Sequence, residues 1–153
     1  MEAALIICLA QVADVLGTGI VAGAFFMGTF AVHPAASRLE ASPHVLLRQE
    51  LIRRLAMFLP PFMFLPIPAS IAALAFCRPS ISWGLDAVGC ALSLSTIGIT
   101  IAINGPLNRR IASWTPDRLP SDWQDFVQRW NMAHVIRMTV AVGAFLCAIL
   151  AMS

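Results

Sequence analysis

The stretch "VLGTGIVAGAFFMGTFAVHPAAS", Val15–Ser37, decides the fold, because it contains no Asp, Glu, Lys or Arg. A helix needs about 20 predominantly apolar residues to cross a hydrocarbon core roughly 30 Å thick, and this stretch supplies them. Leu55–Cys77 and Ala87–Asn108 are charge-free in the same way. Met138–Ser153 is shorter and spans if Ala133–Val135 join it. Composition agrees: 59% of the residues are hydrophobic and 12% charged, with mean hydropathy +0.80, whereas soluble domains run near a quarter charged. The apolar runs lack the alternation of a membrane β-barrel. The expected architecture is all-α, an integral membrane four-helix bundle with short interfacial helices on the cytoplasmic side. Residues 1–153 form one domain, with spans at about 3–32, 55–77, 85–103 and 133–152.

"MEAALIICLA" has no basic start and runs on into the first apolar stretch, which argues against a cleaved signal peptide. A net charge of +2 spread over the connections gives no nucleic-acid footprint. The lipid bilayer is an expected partner and nucleic acid is not; a homo-oligomer is compatible with this reading. All ten basic residues are arginines, and Arg78 alone belongs to the second connection. The positive-inside rule then puts the first and third connections in the cytoplasm and both termini outside. The expected location is a bacterial inner membrane. Cys8, Cys77, Cys90 and Cys147 show no CxxC and no Cys–His metal spacing, and read as small apolar fillers toward the outer half of the spans.

Several features lie along the spans. Gly17, Gly19, Gly23 and Gly28 offer small surfaces for close helix packing. Asp14 falls near the outer interface, where it is expected to be solvated. Ser42-Pro43 starts an amphipathic helix carrying His44, Arg48, Arg53 and Arg54 beside Leu46, Leu47, Leu51, Ile52 and Leu55, expected along the cytoplasmic interface. Pro60, Pro61, Pro66 and Pro68 must kink or break the second span. "RPSISWGLD", Arg78–Asp86, reads as a tight outer turn.

Two polar segments stand at the inner edges of the spans. In "INGPLNRRIASW", Ile103–Trp114, Asn104-Gly105-Pro106 reads as helix punctuation, a cap followed by a first-turn proline. That reading leaves Asn108 unexplained. In "RWNMAHVIR", Arg129–Arg137, residues Trp130, His134 and Arg137 follow i, i+4, i+7 and share one helical stripe, flanked by Asn131. Arg137 lies one turn inside the span, where it either snorkels to headgroups or serves a pocket. His33 ends the first helix on the same side. One layer therefore holds His33, Asn104, Asn108, Trp130, His134 and Arg137: a base, amide donors for an oxyanion, and a fixed positive charge. Phe25, Phe26 and Phe30 supply apolar walls.

At these residues the chain resembles the anthrone oxygenase-like family of small four-helix membrane proteins. "NGPLNRRIASW" is similar to that family's Asn-x-Pro-Leu-Asn segment after the third span, and "WNMAHVIR" to its Trp-x3-His-x2-Arg segment opening the fourth. The resemblance implies a membrane-embedded monooxygenase that converts a small hydrophobic aromatic substrate, a polycyclic phenolic anthrone of polyketide type, to an anthraquinone. O2 would be the co-substrate, and no organic cofactor would be obligatory. It implies Asn104, Asn108, His134 and Arg137 as functional polar residues and Trp130 as a pocket wall; His33 comes from the topology. The expected site is His134, Arg137, His33, Asn104 and Asn108 for catalysis, with Trp130, Asn131 and Phe30 contacting the substrate. Either His134 or His33 removes the methylene proton. A minor alternative places copper or iron on His33 and His134. The competing class is non-enzymatic: a membrane scaffold, binding or transport subunit whose polar layer holds a hydrophobic ligand.

Overall fold

A computed structural model describes residues 2–76 and 80–152, and these are almost wholly helical. Among them the only strand-like pairing is an isolated bridge between Thr115 and Arg118. The chain runs α1 (Glu2–Met27), a π-helical turn (Gly28–Val32), α2 (His33–Ala36), α3 (Ala41–Phe58), α4 (Pro60–Phe64), α5 (Pro66–Phe76) and α6 (Ile81–Ile99). A second π-helical turn (Thr100–Asn104), α7 (Gly105–Ala112) and α8 (Trp123–Ala151) complete it. Cys77 and Arg78 lie outside the described residues.

Three helical stretches, Ala4–Ala36, Ile81–Ala112 and Trp123–Ala151, are long and apolar enough to cross a bilayer. They mark an integral membrane protein. The expected second span is less simple. Ala41–Phe58 and Pro60–Phe76 meet at a 52° bend, because Pro60 and Pro61 supply no backbone donors to the turn before them. The apolar exterior fits a lipid solvent: Leu9, Leu16, Phe26, Phe64, Ile71, Leu94, Leu146 and Leu150 all face outward. In water such a surface would be a large unfavourable patch.

The long helices pack in cyclic order, with α1 on α5 and α8, and α6 on α5 and α8. Small residues permit the close approaches. A Cβ at Gly17 would meet Pro66 at 2.9 Å, and one at Gly19 would meet Phe145 at 2.9 Å. Gly23 has no neighbour within 4 Å and plays no such part. Val21, Ala22, Phe25, Leu59, Met63 and Ala141 form one core cluster. A second, of Val45, Ile111, Trp114, Val127 and Trp130, lies where α3 and α7 meet the start of α8. The polar layer expected from the sequence falls between the two.

Asp14 departs from its expected solvated place. It is 6% exposed, and Ser70 Oγ donates to its Oδ2 at 3.1 Å. The close packing of α1 on α5, opened by Gly17, carries Ser70 to it. Cys8, Cys90 and Cys147 are free thiols.

Candidate active site

The site begins with two π-helical turns. In each, a backbone N–H reaches a carbonyl five residues back: His33 to Gly28, and Gly105 to Thr100. Each is followed at once by a proline, Pro34 or Pro106, which lacks a donor and would clash with a carbonyl in regular α geometry. The wider turn absorbs that conflict without breaking the helix. Asn104-Gly105-Pro106 is therefore not a cap and a restart. Gly105 has φ −58°, and the helix axis runs on into α7. The expected punctuation is replaced by a bulge that turns Thr100, Asn104 and Asn108 inward.

His134 is held at every polar atom of its ring. Arg137 Nη2 lies 3.0 Å from Nδ1. A guanidinium can only donate, so Nδ1 is the acceptor. Nε2 then carries the hydrogen and donates to the Phe25 carbonyl at 3.1 Å. The ring is a neutral imidazole in one tautomer. Gly28 makes this possible: a Cβ there would stand 2.6 Å from His134 Nε2. Trp130 stacks on His134 with centroids 5.0 Å apart and an interplanar angle of 11°. His33 meets both rings edge-on, at 4.5 Å from His134 and 5.1 Å from Trp130. Among the described residues no hydrogen bond occupies the His33 ring, so its basic nitrogen is free.

Arg137 is 6% exposed, so it does not snorkel to the headgroups. Its Nη1 donates to Thr100 Oγ1 at 3.1 Å, and its guanidinium carbon lies 4.4 Å from the Phe25 ring centroid. Nε is buried and unbonded. Trp130 Nε1 donates to Asn108 Oδ1, which fixes that amide and leaves its N–H groups free. Asn104 is completely enclosed with neither amide atom bonded.

Two cavities adjoin this layer and share Ile52, Leu55 and Trp130 as a common wall. The larger, about 220 Å³, is apolar apart from His33, His134 and Arg48. The smaller, about 200 Å³, is lined by Phe25, Leu59, Met63 and Thr100 with Asn108 and Arg137. His33, His134, Arg137, Trp130 and Asn108 thus converge on one place. Asn104 and Asn131 line neither cavity, although the Asn131 side-chain Oδ1 is buried and unbonded. Phe30 points away: it is 61% exposed and packs on Phe26. The π turn preceding His33 rotates it outward, and Phe25 stands at the site in its place.

One member was not expected. Arg48 of α3 is 4% exposed, with its guanidinium carbon 4.6 Å from the Trp130 ring centroid. Among the described residues no three His, Cys, Asp or Glu side chains converge as a metal-ligand group. His134 has no nitrogen left for a metal, so the donor set does not suit the copper or iron alternative.

The buried His134–Arg137 pair and the Asn108 amide set a positive charge and hydrogen-bond donors beside apolar cavities. The family comparison is more specific. Residues 49–147 match the family model described as "Anthrone oxygenase", a span that includes Asn104, Asn108 and the whole Trp130–Arg137 stripe and begins after His33 and Arg48. The chain belongs to the anthrone oxygenase family. No curated protein and no solved structure matches it.

Proposed function

We propose that the chain is a cofactor-independent monooxygenase acting on a polycyclic phenolic, anthrone-type substrate with O2. One observation carries this reading: a free imidazole, His33, stands 4.5 Å from a histidine fixed as neutral by a buried arginine, beside an apolar cavity of about 220 Å³. We also propose four spans in one domain, Pro60–Phe76 being part of the second crossing. In this reading the membrane is a bacterial inner membrane, both termini are outside and the site layer faces the cytoplasm, since the arginines flank the first and third connections.

The substrate ring occupies the larger cavity. Of the two histidines proposed as base, His33 is favoured, because both nitrogens of His134 are engaged. His33 takes a proton from the central methylene, giving an aromatic, phenolate-like anion. The anion transfers one electron to O2, and the resulting radical and superoxide combine at the former methylene carbon as a peroxide anion. Protonation by the His33 imidazolium gives a hydroperoxide, which loses water to leave the new ketone. The balance is one substrate and one O2 to one quinone and one water. Arg137 and the Asn108 amide face the smaller cavity, across the Trp130 wall from the ring, where O2 is held and its developing superoxide charge is stabilised. His134 is the brace that aims Arg137.

The alternative is a carrier or scaffold that binds an amphiphile unchanged. The unsatisfied donors of Arg137 and the free base favour chemistry over mere helix cohesion. Oxygen uptake with a dithranol-type anthrone separates the two. The enzyme consumes O2 above the spontaneous rate, and consumption falls to the spontaneous rate in His33→Gln. Saturable binding with no added uptake would leave the carrier.

A further inference from the structure

Arg48 and Arg137 are both buried, and neither has a carboxylate within ion-pairing distance among the described residues, whose ion pairs join Glu50 to Arg53 and Arg54. Each guanidinium instead leans on a histidine and an aromatic face. Arg48 Nη2 lies 3.4 Å from His44 Nε2, while the His44 ring meets Trp123 edge-on at 5.4 Å. This repeats the Arg137–His134–Phe25 arrangement on the other side of the shared wall. Burying an uncompensated charge is unfavourable by several kcal/mol, and one cation–π contact returns only about 0.5–2 kcal/mol. An interfacial arginine that merely reached for lipid headgroups would expose its head. Arg48 does the reverse: its Nε is buried and unbonded, and the residue lines the larger cavity.

We propose that Arg48, braced by His44, is an anion-recognition site in the larger cavity, so that the substrate is an aromatic acid. Its rings fill the cavity, and an ionised oxygen, carboxylate or phenolate, sits on Arg48. Arg137 is left to the charge that develops during reaction. This deepens the oxygenase reading and rests on it for the identity of the ring system. Arg48 sets which rings are accepted and where the reacting carbon lies. His44 is a positioning residue for it.

The test is calorimetric binding to the full-length protein purified in an uncharged detergent, using anthraquinone-2-carboxylate and its methyl ester. Wild type binds the carboxylate at least about tenfold more tightly than the ester, the ratio worth about 1.4 kcal/mol. Arg48→Gln abolishes that preference while keeping the wild-type affinity for the ester, which also reports an intact cavity. His44→Gln reduces the preference severalfold. A 2-hydroxy analogue whose affinity rises only as its phenol ionises extends the site to phenolates; a preference confined to the carboxylate assigns the acid. Equal binding of acid and ester by wild type overturns the proposal without any variant, as does a preference that survives Arg48→Gln. Oxygen uptake keeps the two readings apart. Preference without uptake removes the oxygenase and leaves the anion site, whereas uptake without preference does the opposite.

Discussion

Asn104 makes a sharp test at the scale of single residues. It is wholly enclosed with both amide atoms unbonded, an arrangement unfavourable by about 1–3 kcal/mol for a buried polar group. A residue kept for stability alone would not be left so. Asn104→Leu is therefore expected to raise the melting temperature in detergent while lowering turnover. A fall in both, or unchanged turnover, would make it purely structural. Gly28 gives a second test. The added methyl of Gly28→Ala, 2.6 Å from His134 Nε2, pushes the ring off the Phe25 carbonyl. Overpacking of this kind is unfavourable by about 1–3 kcal/mol. A misplacement near 1 Å can reduce rate about a hundredfold, so the variant folds but turns over at least about tenfold more slowly. Trp130, His134 and Arg137 were legible in the sequence because their spacing needs only one helix. Arg48 was not, since its amphipathic surroundings suggest a headgroup contact. Only the packing of α3 across the site turns it inward.

The two π-helical turns decide the site at the scale of elements. Both precede prolines, and both were read from the sequence as an ending or a cap, because Asn, Gly and Pro in succession ordinarily stop a helix. A bulge carries no local sequence code of its own. It is selected when a helix must continue past a proline for tertiary reasons. A proline within an α-helix is unfavourable by about 3 kcal/mol. Pro106→Ala removes the need for the wider turn and lets regular α geometry compete. That geometry differs by one residue, about 100° of rotation, and swings Asn108 away from Trp130. The expected outcome is equal or greater thermal stability with reduced turnover. Full turnover in Pro106→Ala would show that the bulge is incidental. The bend between α3 and α4 was legible, because Pro60 and Pro61 leave no other solution; its consequence, α3 forming a wall of both cavities, was not.

The whole molecule is polarised. Buried carboxylates, Asp14 and Asp86, lie toward one end of the bundle, and buried guanidinium groups, Arg48 and Arg137, toward the other, with an apolar core cluster between. Three long apolar helices were legible from charge-free length alone, and so was the meeting of the two polar segments, which Trp130 and Asn108 join. The cavities were not, since they arise from how Trp130, Ile52 and Leu55 meet across three elements. Orientation is open to direct labelling. In a variant whose native cysteines are alanine, Ser121→Cys in the exposed third connection should react with an impermeant maleimide only in inverted vesicles. Reaction in intact cells would reverse the topology. The central claim concerns chemistry, and oxygen consumption tests it most directly. Purified wild type given a dithranol-type anthrone is expected to consume one O2 per quinone formed, well above the protein-free rate, with His33→Gln and Arg137→Ala both at the protein-free rate. Uptake no faster than without protein, or undiminished in both variants, would contradict the account.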